Sequence, residues 1–343
     1  MEFLSEYGMF VAKTLTIVIG ILAAVVGIIA AASSRSKDHN DEYIEITVLN
    51  DEYDATSMSM NSIIQSKQEI KKIEKELKAK KKAEKKSDSS DGENRIFVLE
   101  FDGDIKASAV SNLREEITAI LMVARKQDEV FIKLQSPGGM VNTYGLAASQ
   151  LKRIRDHDLK LTVAVDQVAA SGGYMMACVA DHIIAAPFSI IGSIGVVAQM
   201  PNFNRLLKKH DVDYELVTAG EYKRTLTMFG ENTDEGRSKF KEDIEDIHVL
   251  FKDFVSHQRP VVDIKKVSTG EYWFGTRALE LNLIDELKTS DDYLLEKVKE
   301  AKLYKVEHKK KKNLSDKFSG LMQSMLDKTL NVWWSKTREN QIP

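Results

Sequence analysis

Little in this chain points to a metal, a nucleotide or a redox centre. Cys178 is the single cysteine among 343 residues, so no internal disulfide can form. No Cys/His cluster has zinc-ligand spacing, and no Walker A pattern is present, so neither a metal nor a nucleotide cofactor is expected. Charge of one sign is also missing overall. The net charge of −3 removes any chain-wide electrostatic case for nucleic acid or acidic substrates. What remains, 43% hydrophobic and 29% charged residues, fits a folded body with a sizeable core rather than a disordered or multi-span chain.

One long uncharged run does exist. Thr14 to Ala32, TLTIVIGILAAVVGIIAAA, contains no charged side chain. As a helix it would be about 28 Å long, close to the hydrocarbon thickness of a bilayer. A cleaved signal peptide would need a basic leader, but Glu2 and Glu6 stand against Lys13. A single membrane anchor over 14–32 is therefore expected after a leader of 1–13. Arg35 and Lys37 behind the run lean the body toward the cytoplasmic side.

Residues 33–94 read as a charged linker. Lysines crowd Lys67 to Lys86 without interleaved aromatics, which favours a solvated helix or arm over a nucleic-acid patch. From Arg95 the pattern changes. RIFVLEFDG, EVFIKLQSPGG, LKLTVAVDQ, HIIAAPFSIIG and YELVTAG read as strands. Helical periodicity appears in Ala107–Arg125, Tyr144–Asp156 and Asp234–Ser256, the last with Thr233 as its N-cap. Such alternation predicts an α/β domain over 95–300 with a substantially parallel sheet. The extension 301–343 is basic and then amphipathic, with Leu314 to Trp334 forming an apolar helical stripe. That stripe is expected to pack on the body or on a neighbouring subunit, or else to lie at a membrane interface.

Three glycine-containing turns fall at predicted strand ends: Ser136-Pro137-Gly138-Gly139, Ser171-Gly172-Gly173 and Gly192-Ser193-Ile194-Gly195. Backbone N–H groups point outward at such ends, and together they suggest a preorganised anion site. Ser171 carries two readings, the cap of a following helix or a nucleophile. A nucleophilic serine needs a base. None of the seven histidines (His39, His157, His182, His210, His248, His257, His308) lies in a glycine-rich or strand-end context. A lysine can serve when its amine is neutral. Nothing local singles out Lys223 among the lysines.

These motifs, with Ala170-Ser171-Gly172-Gly173-Tyr174, Gly192-Ser193-Ile194-Gly195-Val196 and Tyr222-Lys223 in that order, resemble the S49 family of serine proteases, the signal peptide peptidase A group. The resemblance implies a Clp protease/crotonase-like fold carried on a single N-terminal transmembrane helix. It implies Ser171 as nucleophile, Lys223 as general base, the N–H groups of Gly138 and Gly172 as oxyanion hole, and Ser193 as the residue orienting the lysine. Tyr174 and Met175, by adjacency, are expected to line the substrate approach. The implied substrates are signal-peptide-like, membrane-derived or unfolded polypeptides, cleaved through an acyl-enzyme. The implied setting is the bacterial inner membrane, with lipid contact through the anchor, a homo-oligomer and an extracytoplasmic body, against the lean of the flanking charges. Two other readings stand beside it: a catalytically silent membrane-tethered scaffold, and an acyl-CoA enzyme of the crotonase type. The latter lacks a carboxylate in ASGGYMMA, and Val196 stands where a Clp-type histidine would be needed.

Overall fold

The computed structural model describes residues 7–17, 20, 42–86 and 94–310. Two compact units emerge, one of residues 1–43 and 309–343 and one of residues 44–308. In the first, residues 7–17 are helical and exposed. No helix among the described residues is long and apolar enough to cross a membrane. Most of the predicted anchor (18, 19 and 21–32) and the predicted C-terminal stripe lie outside the described residues.

The second unit is mixed α/β, built on a seven-stranded sheet. Its strands are β1 (Glu42–Val48), β2 (Arg95–Asp102), β3 (Glu129–Gln135), β4 (Lys160–Val165), β6 (His182–Ala185), β9 (Glu286–Leu287) and β10 (Lys302–Lys310). They lie in the order β1-β10-β2-β3-β4-β6-β9, and every pairing from β10 to β9 is parallel. A small sheet of β5 (Val168–Ala170), β7 (Ile190–Gly192) and β8 (Tyr272–Phe274) accompanies it. The central strands are apolar on successive residues because both faces are covered. On β2, Phe97, Leu99 and Phe101 join one buried cluster while Ile96 and Val98 join the other.

The helices divide between those faces. Helix α3 (Val110–Leu121) contributes Leu113, Ile117 and Ile120, at helical spacing, to the larger cluster. Helix α4 (Val141–Asp156) adds Tyr144, Ala147, Leu151 and Ile154, and α5 (Gly172–Ala177) is buried along its whole length. On the opposite face, α10 (Ser290–Lys297) stacks Tyr293 on Phe131 with ring centroids 4.9 Å apart.

Two sequence expectations change here. Part of the 33–94 linker belongs to the folded unit: β1 enters the main sheet, and α1 (Leu49–Ile64) sets Leu49 and Tyr53 against the second cluster. The side-chain amide of Asn50 donates to Val298 and Ala301 carbonyls at 3.2 and 3.0 Å and accepts from Leu303 N–H at 2.8 Å. Only α2 (Lys67–Lys86) resembles the expected solvated lysine helix. The second change concerns YELVTAG, which forms no strand. Residues 213–218 are irregular and exposed, because an alternating pattern makes a strand only where a partner edge is available.

The long helix α7 (Asp234–Gln258) does begin at Thr233, whose hydroxyl accepts from Gly236 N–H at 3.1 Å. Its far end is held by Arg259, 6% exposed, which makes a bidentate pair with Asp285 and donates to Asn282 carbonyl at 2.7 Å. Two short helices, α8 (Ile264–Val267) and α9 (Gly275–Glu280), complete the unit after it, and α6 (Asn204–Lys209) precedes it.

Candidate active site

Three strand ends converge on Ser171. Strands β5 and β7 pair in parallel with Ala170 opposite Gly192, so Ser171 and Ser193 follow one another's partners at the same edge. The Ser171 N–H donates to Gly192 carbonyl at 2.7 Å. On the other side Ser136 bridges Ala169: its N–H donates to Val168 carbonyl and its carbonyl accepts from Ala170 N–H at 3.0 Å. Both Ser171 and Ser193 have positive φ, 52° and 53°, in a region costly for any residue with a Cβ. The strand pairing on both sides holds them there.

The capping reading of Ser171 fails. Ser171 stands at the N-cap position of α5, yet its side chain makes no cap hydrogen bond. Its carbonyl accepts from Met175 N–H at 3.0 Å, so the backbone alone secures the turn and the hydroxyl is left available. Ser171 is half-buried. That is the arrangement a nucleophile on a sharp strand-to-helix turn requires.

Gly138, φ +87°, packs directly under this turn. A Cβ there would come within 2.6 Å of Ala170 carbonyl oxygen and 2.8 Å of both Gly172 N and Ser171 Cβ. The glycine is thus required twice, by its φ and by the approach of the two loops. Its N–H, however, donates to Ser136 Oγ at 3.1 Å. The next peptide differs: the N–H groups of Gly139 and Gly172 make no hydrogen bond among the described residues. Two N–H groups left without partners on adjoining turns can receive an oxyanion.

Lys223 is joined to this cluster by no hydrogen bond. It is exposed, and its amine makes no hydrogen bond or ion pair among the described residues. Ser193 accordingly gives its hydroxyl to Gly270 carbonyl, at 3.5 Å. The cause is the surrounding segment. From Gly195 to Leu250 no residue is buried, and the stretch before α7 holds only the six-residue α6.

The expectation for Tyr174 and Met175 is corrected. Tyr174 is fully buried and its phenol donates to Leu283 carbonyl at 3.0 Å, while Met175 is only 7% exposed. Burial drives the Tyr174 phenol well above its ordinary pKa, so it stays a donor. Cys178, also buried, has its thiol pushed up by burial and is inert as a nucleophile. His182 stands away from this cluster, 3.3 Å from Glu286. Among the described residues no group of His, Cys, Asp and Glu could hold a metal ion.

Sequence reasoning missed Tyr144, whose hydroxyl meets Ser136 Oγ at 2.6 Å and donates to Asp104 carbonyl at 2.8 Å. Only its position one turn after the SPGG motif could have flagged it.

With this geometry in hand, family models match almost the whole chain. "Peptidase family S49 N-terminal" covers residues 2–151 and "Peptidase family S49" covers 153–304. The chain belongs to peptidase family S49. It is 51% identical over 330 residues to "Probable protease SohB" of Haemophilus influenzae, covering 92% of each. A protein of the same description from Buchnera aphidicola subsp. Schlechtendalia chinensis is 49% identical, covering 86% of this chain and 99% of that one. Among solved structures, an alanine mutant of the 1510-N membrane-bound stomatin-specific protease is 16% identical, with a TM-score of 0.39 over 60% of this chain and 85% of that chain. This S49 chain is a SohB-type peptidase, and its substrates are peptides.

Proposed function

We propose that this S49 peptidase is a serine endopeptidase with a Ser171–Lys223 dyad. The observation that carries the reading is the uncapped Ser171 hydroxyl on a positive-φ turn beside two unpaired N–H groups. Ser171 Oγ attacks the scissile carbonyl carbon while its proton passes to the Lys223 amine. The tetrahedral oxyanion rests on Gly172 N–H and on the Gly138–Gly139 turn, where Gly139 supplies the N–H because Gly138's is engaged by Ser136. Lys223 then protonates the leaving amine, and water hydrolyses the acyl-enzyme by the same route. Ser193, which follows Gly192 in register beside Ser171, would turn its hydroxyl from Gly270 carbonyl to the lysine amine and hold it.

For Lys223 to act, its segment must be covered. Residues 195–250 expose apolar side chains without a core of their own, among them Val197 at 78% and Val217 at 92% exposure. A second copy of the chain laid over this segment would bury them and bring a lysine amine to a serine. Removal from water is also what disfavours the ammonium form of a lysine base. We therefore read the working enzyme as a homo-oligomer of Clp/crotonase-like bodies. Anchored by 14–32 in the bacterial inner membrane, with the body extracytoplasmic, it would meet signal-peptide-like, membrane-derived or unfolded chains. The catalytic domain would comprise 95–300 completed by β1 and α1 from the 33–94 segment and β10 from the 301–343 extension.

The test is a pair of variants, Ser171→Ala and Lys223→Ala, assayed on an unstructured peptide. Each is expected to lose at least about 10³-fold in kcat while remaining folded. A fluorophosphonate should label native Ser171 and not the alanine variant. Wild-type rates in either variant would sink the dyad, and failure to label would favour the catalytically silent scaffold.

A further inference from the structure

Outside the proposed dyad, the most closely constrained polar group near Ser171 is the Tyr144 hydroxyl. Tyr144 is fully buried, and its phenol oxygen has two partners, Asp104 carbonyl at 2.8 Å and Ser136 Oγ at 2.6 Å. A phenol has one proton. Because a carbonyl can only accept, that proton goes to Asp104, and Ser136 must be the donor to Tyr144. Ser136 Oγ in turn accepts from Gly138 N–H at 3.1 Å. The chain therefore runs one way: Gly138 N–H to Ser136, Ser136 O–H to Tyr144, Tyr144 O–H to Asp104 carbonyl.

The same side chain touches the other half of the oxyanion site. A Cβ built on Gly172 would lie 2.4 Å from Tyr144 Cγ, so the Gly172 peptide rests on the Tyr144 ring. On the far side, a Cβ on Gly103 would lie 2.5 Å from both the Ser136 and the Tyr144 hydroxyl oxygens. The hydroxyl pair is enclosed, with no room for water to take over either bond. One rigid residue on α4 thus fixes the turn before the nucleophile through its hydroxyl and the turn after it through its ring.

We propose that Tyr144 is a positioning residue that braces both peptides of the oxyanion hole, so that Gly139 and Gly172 N–H groups converge on the tetrahedral intermediate. Its hydroxyl, through Ser136, sets the tilt of the Gly138–Gly139 turn; its ring sets the height of Gly172. The brace rests on the oxyanion reading given above.

The experiment compares Tyr144→Phe, Ser136→Ala and the double variant on full-length protein. Phenylalanine keeps the ring under Gly172 and removes only the hydroxyl, leaving Ser136 O–H without its acceptor. Readouts are kcat and KM on an unstructured fluorogenic peptide, the inhibition constant of a peptide aldehyde, and Tm. The aldehyde adds the Ser171 hydroxyl across its C=O bond, the serine proton ending on the hemiacetal oxygen or the base, and so reports on the oxyanion site. Tyr144→Phe is expected to lower kcat about 10-fold or more, with KM within about twofold, and to weaken the aldehyde by the same factor as kcat/KM. The double variant removes the orphaned Ser136 hydroxyl but leaves Gly138 N–H without its acceptor and Asp104 carbonyl without its donor, so its kcat should stay low and its Tm below native.

A kcat and an aldehyde constant within about twofold of native in Tyr144→Phe would overturn the brace, even if Tm falls. Recovery of kcat together with Tm in the double variant would overturn it as well. Ser171→Ala separates the two layers. Activity in that variant removes the oxyanion reading and the brace with it, whereas an inactive Ser171→Ala beside a fully active Tyr144→Phe removes the brace alone.

Discussion

The two halves of the proposed dyad sit in opposite kinds of structure. Around Ser171 every residue of α5 is buried, and three strand ends are cross-linked by backbone hydrogen bonds of 2.7–3.0 Å. Around Lys223 nothing from Gly195 to Leu250 is buried, and Tyr222, Lys223 and Arg224 are all exposed. The proposed nucleophile is preorganised by the core of its own chain. The proposed base is carried on a surface that its own chain does not cover. Strain such as the positive φ of Ser171 can be stored only in the first kind of region, because only there do enough contacts hold it. Adaptability belongs to the second, where local free energies of ordering are low.

The largest effect should come from separating the halves physically. If a second copy supplies the lysine, mixing Ser171→Ala with Lys223→Ala subunits should restore activity to about a quarter of the native rate. Each variant alone should remain at the background. Activity measured after denaturation and joint refolding reads this directly; no recovery would mean that Lys223 swings onto Ser171 of its own chain, and the contrast between halves would be one of motion instead of assembly.

A smaller effect probes the preorganised half. Gly138→Ala must fit a Cβ against Ala170 oxygen at 2.6 Å with φ at +87°, and should cost about 3 kcal/mol or more in urea unfolding. A variant of native stability would show that the turn has room to relax. Smaller again is Asp285→Asn, in neither half of the proposed dyad. Burial alone would raise the Asp285 carboxyl, but the Arg259 hydrogen bonds and Ile183 N–H outweigh it and hold it below the ordinary 3.8. Its contribution is therefore complete above the unfolded value and is lost as pH falls through the lower folded one. The substitution should cost about 2 kcal/mol near neutrality by leaving Arg259 unpaired, with the loss shrinking below about pH 4. Tm measured across that window checks the sign.

Much of the regular structure was legible in the sequence. Continuous apolar strands gave β2, β3 and β4, Thr233 gave the start of α7, and the three glycine turns do meet at one edge. Their signals are local, a strand's composition or a cap's hydroxyl. Tyr144 was not legible, because its role depends on contacts with Asp104, 40 positions away, and with the backbone of Gly172. Tyr174 was misread for a related reason: a six-residue helix buried on all sides has no polar face to say which way a ring points. Lys223 carried no local signal, and its exposed segment explains why; a residue that matters only when covered leaves no pattern of burial in its own neighbourhood. YELVTAG misled in the other direction, since its alternation has no partner edge to complete it.

Asn50 closes a loop between the two ends of the folded unit. Its single amide engages Val298, Ala301 and Leu303, more than two hundred residues downstream. The strand it follows, β1, is the outermost strand beside β10. A shortened chain begun at Arg95, the first residue of β2, would strip that neighbour away and leave β10 as a bare edge of N–H and C=O groups, open to pairing with another molecule. Shortened versions of this peptidase should therefore begin before Glu42, and a preparation that aggregates when cut later would be reporting an unguarded strand edge.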